Sequence, residues 1–172
     1  LTGTPSAAGV ISGDTVNVTG SATAGTFAQV SVGTGIGVTA NLGGLSLSNA
    51  NYTISGVTSP LTANITEAGV TISGLAASNK VYDRTNVATL TGTPSAAGVI
   101  SGDTVNVTGT ATAGTFVQTG VGTGIAVTAN LGGLALSNAN YTISGVTSPL
   151  TANIAAKTLT VTGTTASNKV YD

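Results

Sequence analysis

The chain has no cysteine, histidine, methionine or tryptophan, and only 5% of its residues are charged. Without cysteine, no disulfide staples the fold and thiol chemistry is excluded. Without histidine as well, the usual base and nucleophile pairs are missing, so no enzyme is expected. Zinc lacks its ligands, and calcium lacks the several carboxylates it prefers, so no metal or cofactor is expected. The only cations, Lys80, Arg84, Lys157 and Lys169, form no basic footprint for nucleic acid or an anionic membrane. No run of about 18 apolar residues occurs, so membrane insertion is not expected. Aromatics amount to 3%, so any core is mainly aliphatic.

What remains is small and β-branched. Hydrophobic residues reach 41% with a net charge of -1, which is not the low-hydrophobicity, high-charge balance of a disordered chain. Val and Thr are stiff at χ1 and favour strands.

The chain repeats itself. The phrase "LTGTPSAAGVISGDTVNVTG" begins at Leu1 and again at Leu90, an offset of 89 residues. Residues 1–66 and 90–155 differ at seven positions: Ser21/Thr110, Ala28/Val117, Val30/Thr119, Ser31/Gly120, Gly37/Ala126, Ser46/Ala135 and Thr66/Ala155. "ASNKVYD" stands at 77–83 and again at 166–172. The period exceeds the roughly 20–50 residues of solenoids, so each unit should own a core. The expected division is 1–66, a unit lacking its first segment; 67–155, a complete unit; and 156–172, the first segment of a following unit. Two readings of the ending stand. The chain is a window on a longer array, or it is a subunit that donates 156–172 to its neighbour by strand complementation.

Within one unit, apolar residues alternate. Val70 and Ile72, Val105 and Val107, Ile125 and Val127, Tyr141 and Ile143, and Leu150, Ala152 and Ile154 fall on single faces of short runs. Gly, Asn, Ser and Pro separate the runs. About seven strands in 89 residues predict an all-β fold of tandem immunoglobulin-like antiparallel β-sandwiches, joined end to end as a rod. The joints Thr66, Glu67 and Ala68, and Ala155, Ala156 and Lys157, hold no glycine or proline, which predicts little slack.

Other features have modest readings. In "SGDTV" (101–105), Asp103 reads as closing a turn with its own backbone. "GVGTG" (120–124) lacks the Lys-Ser/Thr of a phosphate loop and reads as turn or bulge glycines. Lys80 and Asp83 read as an exposed ion pair at a strand end, although an autocatalytic lysine cross-link would use the same residue types. Asn17, Asn51, Asn64, Asn106 and Asn140 each head an Asn-x-Thr sequon and are candidate glycosylation sites. The tyrosines read as core rather than as binding anchors.

"NKVYD", "ATLTG", "SGDTVNVTGTATAGTF", "LSNANYTI" and "LTANI", in that order, resemble the YDG-type (MBG-like) repeats of large secreted bacterial proteins of the filamentous-haemagglutinin, two-partner-secretion kind. The chain departs from the Tyr-Asp-Gly triplet: Asp83 is followed by Arg84, where glycine would permit a positive-φ turn. The resemblance implies extracellular stalk or adhesin modules at the bacterial surface, and no catalytic residues. The leading expectation is therefore a structural spacer or fibre module whose partners are neighbouring copies of the same repeat. A repeated weak binding module for glycan, ice or host protein, acting by avidity, and a strand-donating fibre subunit are the alternatives.

Overall fold

Period-two patterning and glycine punctuation produce strands and no helix. The computed structural model describes residues 1–172, and none of them is helical; no helix is long and apolar enough to cross a membrane. The strands are β1 (Val18–Gly20), β2 (Gly25–Phe27), β3 (Gly33–Ala40), β4 (Leu45–Leu47), β5 (Leu61–Ile65), β6 (Ala68–Ala77), β7 (Lys80–Val81), β8 (Val87–Ala97), β9 (Val107–Gly109), β10 (Ala113–Phe116), β11 (Gly122–Ala129), β12 (Leu134–Leu136), β13 (Tyr141–Val146) and β14 (Leu150–Ala155). The chain divides into two compact units, Leu1–Ala68 and Gly69–Asp172, here called unit 1 and unit 2.

In unit 2, one seven-stranded sheet has the order β13-β6-β8-β10-β11-β14-β7, with β9 and β12 as a separate two-stranded ladder. Only Ser78 and Asn79 join β6 to β7, yet four strands lie between them in the sheet. Laid flat, that separation would be about 24 Å. Two linking residues bridge at most about 11 Å. The sheet therefore curls into a half-barrel, and β7 meets β14 at the far edge. Asn153 N donates to Asn79 Oδ1 at 2.7 Å, and Tyr82 N donates to the Ala155 carbonyl at 2.9 Å.

The core lies inside this curl. Ala88, Leu90, Phe116, Ile125, Val127, Leu150, Ala152 and Ile154 form one buried cluster. Phe116 and Ile154 are its most enclosed large members, and Val70 and Ile72 on β6 are as fully buried. Each such side chain contributes about 1.5–3 kcal/mol relative to exposure. β6 and β8 stay paired around a register shift between Ser73 and Leu75. There Gly74 and Gly92 both take positive φ, 79° and 101°. A Cβ on Gly92 would strike the Gly74 carbonyl oxygen, so the two backbones meet closely because neither residue has a side chain.

Unit 1 carries a three-stranded sheet, β2-β3-β5, and the ladder β1-β4. Its registers parallel those of unit 2. Val18 opposes Leu47 as Val107 opposes Leu136, and Phe27 opposes Val38 as Phe116 opposes Val127. Gly35 N donates to Asn64 Oδ1 at 2.9 Å, as Gly124 N does to Asn153 Oδ1 at 2.8 Å.

The all-β class matches the expectation from sequence; the layout differs in four respects. Unit 2 holds nine strands rather than about seven. Most lie in one curled sheet, and β7 pairs with β14 in parallel, where an antiparallel sandwich was expected. The run 103–112 yields only the three-residue β9, because Ser101–Gly102 turn before it and Gly109 at φ 86° ends it. Residues 156–172, expected as a strand-bearing first segment, form no strand and are exposed.

Candidate functional site: the lysine clasp of residues 79–85

The curl delivers β7 to a place where its one charged side chain is enclosed. Lys80 Nζ lies 2.7 Å from Asp83 Oδ1. It donates to Thr85 Oγ1 at 2.9 Å, to the Thr85 carbonyl at 3.1 Å and to the Val87 carbonyl at 3.1 Å. It also sits 5.9 Å from the centre of the Phe116 ring, within reach of the ring's negative face. The ammonium has three hydrogens and four oxygen neighbours, so at least one hydrogen is shared. The Lys80 side chain is 16% exposed and Asp83 52%. The pair expected to be exposed is instead a lysine tucked under a turn, its charge met by two backbone carbonyls as well as the half-exposed carboxylate.

The turn is built for this. Asp83 Oδ1 accepts from Thr85 N and Thr85 Oγ1, both at 2.9 Å, an Asx-turn arrangement. The lysine hydrogen bond first, and the Thr85 bonds after it, lower the Asp83 pKa to about 2. Arg84, between the two pinned residues, has φ 70° and is the only non-glycine residue with positive φ. The turn that a glycine would form is thus kept with arginine in its place. The carboxylate is held ionised and half-exposed, so this geometry is an ion pair. A lysine cross-link would need the amine and the carboxyl both neutral.

A second constellation ties a loop to a strand. The Tyr141 hydroxyl donates to Asp103 Oδ2 at 2.6 Å and accepts from Ile100 N at 3.2 Å. Asp103 N closes the turn through the Ile100 carbonyl at 3.0 Å. The backbone makes that turn, and the Asp103 carboxylate, expected to bond its own backbone, takes the tyrosine instead. Unit 1 has the same set in Tyr52, Asp14 and Ile11.

The sequence-derived candidates scatter. Asn17, Asn51, Asn64 and Asn106 are exposed and Asn140 is half-buried; the Asn64 amide oxygen is engaged by Gly35. Thr66 and Glu67 separate β5 from β6, while Ala68 opens β6 and Ala155 ends β14. Ala156 and Lys157 are exposed. No three His, Cys, Asp or Glu side chains cluster as a metal site would require. Thr85, Val87 and Phe116 were not anticipated as partners of Lys80. The spacing Asp-x-Thr at 83–85 was the readable sign of the first of them.

An all-β domain closed by a lysine clasp at its first turn is what fold and site together define. Residues 66–149 match the YDG domain family. The match spans the Tyr82–Asp83–Arg84 turn. No curated protein and no solved structure matches the chain.

Proposed function

We infer that this chain is a structural spacer module of an extracellular bacterial adhesin or surface filament, built from tandem units of 89-residue period and performing no catalysis. One observation carries the reading. All seven exchanges between residues 1–66 and 90–155 fall on exposed positions in both units, and the buried set is unchanged. Drift confined to the surface, over one retained core, suits a task that asks for shape and copy number. The registers common to both units and the YDG domain support it. The resemblance to filamentous-haemagglutinin proteins supplies the extracellular setting. On this reading the partners are neighbouring copies of the same unit, in tandem along the chain.

The test is small-angle X-ray scattering on this chain and on versions with further 89-residue units inserted in frame. A spacer gives a maximum dimension that grows by a constant step per unit. Growth as a compact cluster would overturn the rod. Binding of glycans or host proteins that strengthens with copy number would favour the avidity reading instead.

A further inference from the structure

β13 ends the seven-stranded sheet and has β6 as its only neighbour there. Just past its end, Thr147 N donates to the Ile72 carbonyl of β6 at 2.9 Å. Backbone groups alternate in direction along a strand, so those of Ile143 and Gly145 also turn toward β6. Those of Thr142, Ser144 and Val146 turn the other way, where the sheet holds no partner for them. An edge of this kind invites a further strand, and proteins usually guard it with charge or proline. The run YTISGV at 141–146 has neither.

The same residues border a groove. A space of about 570 Å³ is lined by residues 141–145 together with Leu131, Leu134, Ala135, Leu136 and Asn138, and no charged side chain faces it. Leu131, Leu134, Leu136 and Ile143 are half-buried, so their apolar surface is only partly covered. Unit 1 repeats the groove at about 510 Å³, lined by Leu42, Leu45, Leu47, Asn49 and Ile54. The edge strand is present in unit 2 alone, so docking is expected there. Both walls carry the period of an extended chain. The outward backbone groups of β13 recur every second residue, at about 6.8 Å. Leu134 and Leu136 stand at the same interval on β12, which pairs only with β9. A polypeptide strand offers N–H and C=O groups and side chains at this spacing, and a sugar chain has no such row. The uncharged lining selects apolar side chains.

We propose that the groove beside β13 is a docking site for an extended segment of a partner polypeptide with apolar side chains at alternate positions. The segment binds by strand addition. Its backbone pairs with Thr142, Ser144 and Val146, and its apolar side chains rest on Leu134, Leu136 and Ile143. The inference goes beyond the spacer reading, which stands whether or not a partner docks in this way.

The test is fluorescence anisotropy of a labelled, terminally blocked peptide of alternating valine and threonine, titrated with the full chain. A control peptide carries proline in place of each threonine and cannot pair along an edge. The first peptide is expected to bind saturably, and the control at least about tenfold more weakly. An Ala135→Asp/Thr142→Asp double variant sets two carboxylates in the groove. Both positions are exposed, and the first is already polar in unit 1 as Ser46, so the variant keeps its fold. It should bind the peptide at least about tenfold more weakly than the parent. Hydrogen exchange at residues 142–146 should slow when the peptide is bound. Absence of saturable binding overturns the proposal, and so does equal binding of the proline control or full binding by the double variant. Self-association that protects residues 142–146 without peptide assigns the groove to a second copy and overturns the partner named here. Saturable binding of maltohexaose in place of the peptide overturns it as well.

Discussion

Tyr141 and Asp103 are 38 residues apart in sequence and 2.6 Å apart in space, hydroxyl to carboxylate. The bond pins the 100–103 turn to the first residue of β13. Asp103, by accepting this hydrogen, raises the Tyr141 pKa above its ordinary 10.0. A raised folded pKa contributes stability that is whole below the unfolded value and is lost as pH rises through the folded one. Tyr141→Phe should lower the melting temperature by about 4–8 °C at neutral pH. Its melting temperature should also fall less than the parent's between neutral pH and pH above 10. Calorimetry across that range checks both.

Lys80 should be costly to replace. Lys80→Met keeps the aliphatic stem and removes a donor from the Thr85 and Val87 carbonyls and the Asp83 carboxylate. A loss of about 1–3 kcal/mol is expected, read as a lower urea midpoint for unit 2. The Asp83 pKa should climb back toward 3.8, followed by NMR titration.

Asp83 gives the acid side its own signature. Its pKa falls from 3.8 to about 2 on folding, so its contribution is present above pH 3.8 and is lost as pH drops toward 2. Asp83→Asn should be less stable than the parent at neutral pH, and the gap should shrink as pH falls through this window. A constant gap down to pH 2 would disprove the link.

Arg84 occupies a left-handed conformation that costs an ordinary residue about 1–2 kcal/mol. Glycine removes that strain but loses more freedom on folding. Arg84→Gly should therefore stabilise unit 2 by a net of about 0.5–1 kcal/mol, measured by chemical denaturation. Loss of stability would show that the arginine side chain holds the turn.

Gly92→Ala should do the reverse. The new Cβ meets the Gly74 carbonyl oxygen at a φ of 101°, and β6 must part from β8. The expected cost is at least about 2 kcal/mol. Hydrogen exchange should rise first at residues 71–77.

Much of the strand pattern was readable because alternation is local. Val70 with Ile72, Ile125 with Val127, and Leu150 with Ala152 and Ile154 are buried as their spacing implies. The parallel β7–β14 pairing was not readable, since a two-residue strand has no period and its partner lies 74 residues away. Lys80 misleads for the same reason. A lysine by itself reads as solvated, and only the curl of the sheet brings Phe116 and the Val87 carbonyl beside it. At Arg84 the letter argued against positive φ. The Asp83–Thr85 hydrogen bonds on either side of it enforce that conformation. Leu159 and Val161 carry strand letters but lie in no strand and are exposed, since alternation alone does not supply a pairing partner.

The parallel β7–β14 edge has a mechanical consequence. A pull along the chain enters unit 2 at Gly69 through β6 and leaves beyond Ala155 through β14, so β7 is loaded only after β6 is drawn from between β13 and β8, and it is then dragged against β14 in the opposite sense. Ile154 faces Lys80 and Ala155 faces Val81, so their bonds meet the force in shear and must yield together. An antiparallel pair at that place would open like a zipper, one bond at a time. The direction of two short strands thus decides whether this last ladder parts gradually or holds until it gives way at once.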